Sequence, residues 1–167
     1  MNRRTSLTYE RLRQTLEYNP ITGALSRILG VPGASAGSKV GTPQSKGYLE
    51  LMIDRKRYLA HRIIWFYMTK GWPKDQIDHI NGNRSDNRWI NLREATGLQN
   101  NANSKIPVTN TSGLKGVTWQ SQNKKWRAQL SINNKQKYLG SFETKEEAYL
   151  AYCQAAKELR GEYARFG

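Results

Sequence analysis

The sequence predicts an α+β protein with separate helices and antiparallel strands. Apolar residues recur at helical spacing in residues 7–17. Residues 125–132 alternate apolar and polar side chains, which is typical of a strand with one buried face. Residues 144–147 form a Thr-x-x-Glu capping box, and the stretch after it carries alanines on an apolar helical stripe.

Length and cysteine content limit the class of protein. The chain has 167 residues, which is enough for one ordinary domain or two small ones. It has no apolar run long enough to span a bilayer, and its N-terminus lacks the apolar core of a signal peptide. Cys153 is the only cysteine, so internal disulfides are excluded. We expect a soluble cytoplasmic protein without membrane contact.

Charge gives the first indication of function. The 27 Lys and Arg residues exceed the 13 Asp and Glu residues, for a net charge of +14. Residues 1–112 carry 17 basic and 8 acidic groups, and residues 113–167 carry 10 and 5, so no single tail holds the excess. A folded chain with this imbalance is typical of proteins that bind a polyanion such as nucleic acid. The alternative is that the excess lysine only aids solubility.

Helices and strands are predicted in order along the first half. After the helix at 7–17, residues 30–47 are rich in Gly, Ser and Pro and predict a loop. Strand-like runs on either side of residues 54–56 predict a β-hairpin. Residues 61–71 are apolar nearly all round, which indicates a short buried helix closed by Gly71.

The last third of the chain changes character. Residues 105–112 lack periodicity and are interpreted as a linker. Three strand-like runs, GLKGVTWQ, KWRAQLSIN and QKYLGSF, are followed by the helix that ends at Gly161. They predict a three-stranded antiparallel sheet packed on one helix. The other sheet face stays free, polar and basic, and a sheet of this width can enter a major groove of DNA.

The stretch at 78–103, DHINGNRSDNRWINLREATGLQNNAN, is the most unusual in composition. It places the second and last histidine after an aspartate and contains seven asparagines. Asparagine is a poor helix and strand former, useful in turns and as a neutral oxygen ligand. The stretch is therefore either a set of loops or a polar site.

The C-terminal third resembles the APETALA2/ethylene-response-factor DNA-binding domain. The matching segments are KGVTW at 115–119, KWRAQLSI at 125–132, YLGSFETKEEAYLAY at 138–152 and A-A-x-x-L-R-G at 155–161. The resemblance implies that the free sheet face contacts double-stranded DNA through Lys115, Thr118, Gln120, Gln129, Ser131, Gln136 and Tyr138. Arg127 lies two residues before Gln129 on the same strand, so its side chain should point to the same face and also contact DNA. Several arginines of the plant pattern are here Thr, Gln or Ser, so the plant target sequence does not carry over.

Residues 15–105 resemble phage homing endonucleases of the HNH class, which have the ββα-metal fold. The matching segments are AHR at 60–62, DHINGN at 78–83, DN at 86–87, NLR at 91–93 and QNNAN at 99–103. The resemblance implies an HNH nuclease domain at 1–104, with its catalytic core at about 58–104. The linker at 105–112 and the APETALA2-like domain at 113–167 follow.

The resemblance also implies roles for the residues of the asparagine-rich stretch. His79 is the general base, a role that suits a neutral imidazole near pH 7. Asp78 and Asn100 hold one Mg²⁺, with Mn²⁺ or another divalent cation as alternatives. Asn91 holds the His79 ring through its side-chain oxygen. Asn103 adds a ligand or a phosphate contact.

Other residues near this site have less specific interpretations. Asn100 is expected on a helix that begins near Asn91, and Asn101 replaces it if the register shifts by one. The apolar face of that helix is predicted to consist of Leu92, Ala95, Leu98 and Ala102. His61 is expected to be structural and is left out of the catalytic set. Asn81, Asn83 and Asn87 are expected to be turn residues. Arg84, Arg88 and Arg93 are expected to contact the DNA backbone.

The sequence therefore predicts a site-directed, homing-type DNA endonuclease whose N-terminal domain cuts and whose C-terminal sheet selects the site. A monomer with one centre should nick one strand, leaving 5′-phosphate and 3′-hydroxyl ends. A dimer is kept as an alternative oligomeric state. The alternative is a non-catalytic DNA-binding regulator with a vestigial nuclease half. An RNA-directed nuclease is a third alternative, against which the major-groove sheet favours DNA.

Overall fold

Helices and small antiparallel sheets make up an α+β fold, as predicted. The computed structural model describes residues 7–103, 106, 109–133 and 135–166. The chain divides into a first unit, Met1–Glu94, and a second unit, Ala95–Gly167. The domain bounds given by the sequence stay a prediction, and residues 105, 107 and 108 of the predicted linker lie outside the described residues.

The first unit begins with helix α1 (Tyr9–Thr15), whose first turn is capped by the Thr8 hydroxyl accepting from the Arg11 amide at 3.2 Å. The helix is shorter than the predicted 7–17 because Leu16 and Tyr18 alternate with an exposed residue and bury as a strand. Three short antiparallel strands follow, β1 (Leu16–Tyr18), β2 (Leu25–Arg27) and β3 (Lys39–Val40).

A second sheet contains the predicted hairpin. Its strands are β4 (Thr42–Pro43), β5 (Leu49–Ile53) and β6 (Lys56–Leu59). Asp54 and Arg55 join β5 to β6 with φ of 48° and 64°, as a two-residue type I′ turn requires. Helix α2 (Ala60–Thr69) leads directly from β6 and ends at Lys70 in the left-handed conformation.

Strands β7 (Gln76–His79) and β8 (Leu92–Ala95) form a two-stranded sheet. The loop between them ends in a 3-10 turn, Trp89–Asn91. The first unit's core lies between α1, α2 and these strands, and its most deeply buried side chains are Leu12, Leu16, Ile63 and Ile64. This core fixes the end of β7, where the Asp-His pair is located.

The second unit carries the predicted three-stranded sheet and covering helix. Helix α3 (Gly97–Ala102) comes first, followed by β9 (Val117–Gln120), β10 (Lys125–Ile132), β11 (Lys135–Phe142) and α4 (Lys145–Arg160). Strand β10 is central and antiparallel to both neighbours. The alternate residues Ala128 and Leu130 bury under α4 against Ala148, Tyr152 and Ala156.

Helix α3 differs from the helix predicted to begin near Asn91. Residues 92–95 form strand β8, and the helix begins at Gly97 behind a capping box of Thr96 and Gln99. Leu98, assigned to an apolar helix face, is 47% exposed. Apolar spacing was misleading because Leu92 and Ala95 bury as strand residues. In the described part of the chain, no helix is both long enough and apolar enough to cross a membrane.

Candidate active site and nucleic-acid interface

His79 is the last residue of β7 and is only 4% exposed. Its Nε2 atom lies 3.1 Å from the side-chain oxygen of Asn87. Asn87 is itself buried, and its backbone carbonyl accepts a hydrogen bond from the Tyr18 hydroxyl at 2.9 Å. An amide oxygen can only accept, so the neutral ring carries its proton on Nε2 and keeps Nδ1 as the basic nitrogen.

The surroundings of His79 keep its ring neutral. Burial lowers the pKa of His79 below its usual value of 6.5, and the positive charge of Arg84 acts in the same direction. The hydrogen bond that His79 donates to Asn87 and the charges of Asp78 and Asp86 oppose this pKa change without reversing it. A neutral imidazole at neutral pH has the protonation state that a general base needs.

The Asp78 carboxylate is next to His79 in sequence and is also only 4% exposed. Its Oδ2 atom accepts from Nε and from Nη2 of Arg93, both at 2.9 Å. Because a buried carboxylate needs compensation, this ion pair supplies the Asp78 carboxylate with a partner inside the fold. The Arg93 guanidinium thus contacts Asp78, and its contact with the DNA backbone stays a prediction.

The donor atoms of the first unit suit a hard, hydrated cation. Among the described residues, no group of three or more His, Cys, Asp or Glu side chains is placed to hold a metal ion. A closed protein cage of the zinc type is therefore absent from that part of the chain. One carboxylate supplemented by amide oxygens, waters and phosphate oxygens is a donor set that Mg²⁺ accepts, and Asp78 supplies that carboxylate.

Asn91 makes different contacts from those predicted. Its side-chain oxygen accepts from the Asn81 amide at 2.9 Å, and its side-chain nitrogen donates to the Asp86 carbonyl at 2.7 Å. Asn91 therefore holds the loop between β7 and β8, and the ring contact assigned to it is made by Asn87. Asn87 and Asn91 both lie in segments that resemble the HNH family, but the sequence alone could not show which side-chain amide contacts the His79 ring.

The other asparagines of the loop shape turns, as predicted. The Asn81 side-chain oxygen accepts from the Asn83 amide at 2.8 Å, and the Asn83 oxygen accepts from the Ser85 amide at 3.1 Å. Asn100 lies on α3 and Asn103 directly follows that helix, so both belong to the second unit. Their assignment as cation ligands stays a prediction from the resemblance.

Two further arginines predicted to contact DNA are held locally. The Arg84 guanidinium lies 4.8 Å from the centre of the Tyr48 ring and donates to the Lys46 carbonyl at 3.0 Å. The Arg88 guanidinium forms two bonds to the Asp86 carboxylate, at 2.8 and 2.6 Å. Both side chains are on the surface, and their contact with a DNA backbone stays a prediction.

Most of the residues predicted to read DNA share one face of the second unit's sheet. Arg127 is opposite Thr118 on β9, and Gln129 and Ser131 are opposite Tyr138 and Gln136 on β11. Gln120 on β9 is opposite Lys125, which lies two residues before Arg127 on β10. Because Ala128 and Leu130 point to α4, these alternate residues point to the free face. We call this set, Thr118, Gln120, Arg127, Gln129, Ser131, Gln136 and Tyr138, the sheet face.

The sheet face is internally ordered. The Arg127 guanidinium lies 5.4 Å from the centre of the Tyr138 ring, and the Tyr138 hydroxyl donates to the Ser141 hydroxyl at 3.0 Å. A β-bulge between Ala128 and Gln129 shifts the register with β11. Bulges increase the local twist of a sheet. The sheet face therefore presents the Arg127 cation stacked on an aromatic ring that is itself hydrogen-bonded.

Lys115 does not belong to the sheet face. It is only 8% exposed, and its Nζ atom donates to the Ala102 carbonyl at the end of α3, at 3.0 Å. Burial lowers the pKa of Lys115 to about 8, with contributions from the charges of Arg160 and Arg165. The prediction that Lys115 contacts DNA is therefore replaced by a role inside the second unit.

Comparison with known proteins agrees with both halves of this description. The family model of the HNH endonuclease matches residues 58–102, and that of the AP2 domain matches residues 112–162. Protein 3.8 of Escherichia phage T7 is 36% identical over 122 residues, covering 72% of this chain and 98% of that protein. An uncharacterized HNH endonuclease of Acanthamoeba polyphaga mimivirus is 35% identical over 113 residues, covering 66% of this chain and 58% of that protein.

These matches support a DNA nuclease or DNA-binding role, and HNH nucleases generally use a divalent metal. The relative from phage T7 is matched over nearly its whole length at an identity that defines a family. The chain belongs to the family of phage T7 protein 3.8, and it carries an HNH endonuclease domain followed by an AP2 DNA-binding domain.

Proposed function

We propose that the chain is a homing-type DNA endonuclease that hydrolyses one phosphodiester bond of double-stranded DNA with a divalent cation. The HNH domain cuts, and the AP2 domain supplies grip and sequence preference. The observation that carries this proposal is the buried, neutral ring of His79, held through Nε2 by Asn87 beside the Asp78 carboxylate.

The reaction begins with a water molecule that attacks the scissile phosphate in line with the departing 3′ oxygen. Nδ1 of His79 takes the proton of that water, and Asn87 stabilises the resulting imidazolium through Nε2. Asp78 would hold the cation, which would supply positive charge to the phosphate and to the departing oxygen. The products are a 5′-phosphate and a 3′-hydroxyl end.

Mg²⁺ is the cation that we propose, with Mn²⁺ as an effective substitute, because both accept oxygen ligands and retain waters. One chain has one such centre, so a monomer nicks one strand and a double-strand cut requires a dimer or two events. The match to a phage protein supports action in the cytoplasm of a bacterial host.

Incubation of supercoiled plasmid with the purified protein tests this proposal. We expect nicking in Mg²⁺ that EDTA abolishes and that His79→Ala reduces at least about a thousandfold, since the base and its proton transfer are lost together. Arg57→Ala is a matched control, because Arg57 is an exposed cation on β6 outside the proposed machinery.

A non-catalytic DNA-binding protein is the second candidate, and the Asp78–Arg93 ion pair favours it. A carboxylate already neutralised by an arginine at 2.9 Å needs no cation for the stability of the fold. Retained binding to DNA without nicking in Mg²⁺, Mn²⁺ or another divalent cation would select this candidate over the nuclease.

A further inference from the structure

Two aromatic side chains contact the ring of His79 in addition to Asn87. The His61 ring, at the start of α2, lies 5.1 Å from it centre to centre, with the two planes 80° apart. The Tyr48 ring lies 5.9 Å from His79 and 5.0 Å from His61. An edge-to-face contact of this kind restricts the plane of both rings.

His61 is not explained as an ordinary hydrogen-bonded core histidine. It is 5% exposed, and within the described part of the chain its Nδ1 atom has no hydrogen-bond partner. A buried polar atom without a protein partner is unfavourable and calls for a reason beyond packing. The aromatic contact with His79 gives position 61 a role in the site, because the ring there limits the motion of the neighbouring ring.

We propose that His61 is a positioning residue for His79. Together with Tyr48 it fixes the plane of the His79 ring, so that Nε2 keeps its contact with Asn87 and the basic Nδ1 keeps one direction. The proposal rests on the proposed function, since it concerns the ring that acts there as the base. In this proposal His61 acts through the His79 ring and not directly on the DNA or on the reacting water.

The chain has two histidines, so a substitution at His61 leaves His79 as the sole histidine for nuclear magnetic resonance. We expect ¹⁵N spectra at neutral pH to show one His79 tautomer, protonated at Nε2, in the wild-type protein and in His61→Phe. In His61→Ala we expect averaged nitrogen shifts, because the ring is released. The phenyl ring at position 61 keeps the aromatic contact without a titratable group.

Single-turnover nicking under saturating protein gives the second readout. His61→Ala should lower the rate about tenfold to a hundredfold, as loss of a group that orients a reacting residue does. Its dissociation constant for DNA should stay within about twofold, and His61→Phe should keep most of the rate. Ile64→Val removes one buried methyl group from the core of the same helix and controls for a loss of stability alone.

An unchanged His79 spectrum in folded His61→Ala overturns the proposal, as does an unchanged nicking rate. A His61→Phe protein as impaired as His61→Ala also overturns it, because the ring contact would then be insufficient. If the wild-type protein does not nick DNA at all, the proposed function fails, while the spectra alone still decide whether His61 positions the ring.

Discussion

Two buried asparagines of the loop after β7 make distinct contacts. Asn87 reaches the Nε2 atom of His79, whereas Asn91 holds the loop backbone at Asn81 and Asp86. The same substitution at the two positions should therefore have different consequences. One affects the base itself, and the other affects the loop that carries the base.

Replacing Asn87 by Ala should lower the nicking rate about tenfold to a hundredfold, because the His79 ring loses the partner that fixes its tautomer. Replacing Asn91 by Ala should instead lower the free energy of unfolding by about 2–4 kcal/mol, since two loop hydrogen bonds are lost and backbone groups are left unpaired. Single-turnover kinetics and urea unfolding measure these two effects. A larger loss of rate per folded molecule in Asn91→Ala would return the orienting role to that residue.

His61 makes stability depend on pH. Burial lowers its pKa from 6.5 to about 3 in the folded protein, whereas the unfolded chain protonates it near 6.5. Between these values the unfolded state binds the additional proton, so the free energy of unfolding falls as the pH falls. The His61 contribution is fully present above pH 6.5 and declines by at most about 1.4 kcal/mol per pH unit toward pH 3.

His61→Phe should remove this contribution, so its unfolding free energy should decline less steeply than that of the wild-type protein between pH 6 and pH 4. Urea unfolding at several pH values measures the two slopes. If the unfolding free energies of the two proteins decline equally with pH, His61 takes up its proton in the folded state as readily as in the unfolded state.

At the scale of helices and strands, the sheet face of the second unit depends on one close approach of the backbone. Gly116 has a φ of 75°, and a Cβ atom there would lie 2.1 Å from the Tyr152 ring and 2.7 Å from the Gln129 carbonyl oxygen. A side chain at this position both strains the backbone and pushes the strand away from α4.

Gly116→Ala should lower the free energy of unfolding of the second unit by about 2–5 kcal/mol, from left-handed strain and overpacking together. Gly113 has a similar φ of 72° but open space at its Cβ position, so Gly113→Ala should lose only about 1 kcal/mol. Thermal unfolding of the two variants compares these losses. Equal losses would contradict the close contact with Tyr152.

The sheet face also gives a prediction for DNA binding. Arg127 is its central cation and stacks on Tyr138. Arg127→Ala should weaken binding by about 1–3 kcal/mol and reduce the slope of log affinity against log salt by about one if the contact is to phosphate. Fluorescence anisotropy across salt concentrations measures both. Lys115→Ala should leave the salt slope unchanged, because Lys115 is buried against Ala102.

Local pattern predicted some of these elements well and others poorly. The alternation at 125–132 and the capping box at 144–147 correspond to β10 and α4, because each has a single buried face that sets its periodicity. Leu92 and Ala95 fit a helical spacing but are buried in strand β8. A single pair of apolar residues three positions apart does not distinguish a helix from a strand in one short segment. Asn87, Arg93 and Lys115 could not be assigned because tertiary contacts decide where their side chains point.

For the whole molecule, the net charge of +14 and the two domain families point to DNA as the partner. We assign chemistry to His79 in the first unit and recognition to Arg127 in the second. If these functions are separable, a change in one domain should alter the rate of cutting and a change in the other should alter affinity. The two kinds of loss are measurable on the same DNA.

The most direct test uses an end-labelled duplex that contains a mapped nick site, with binding and single-turnover cleavage measured in Mg²⁺. We predict that His79→Ala keeps its affinity within about twofold and loses the cut, whereas Arg127→Ala loses affinity and recovers its rate at saturating protein. Cleavage by His79→Ala at the wild-type rate would contradict a histidine-activated water as the means of strand scission.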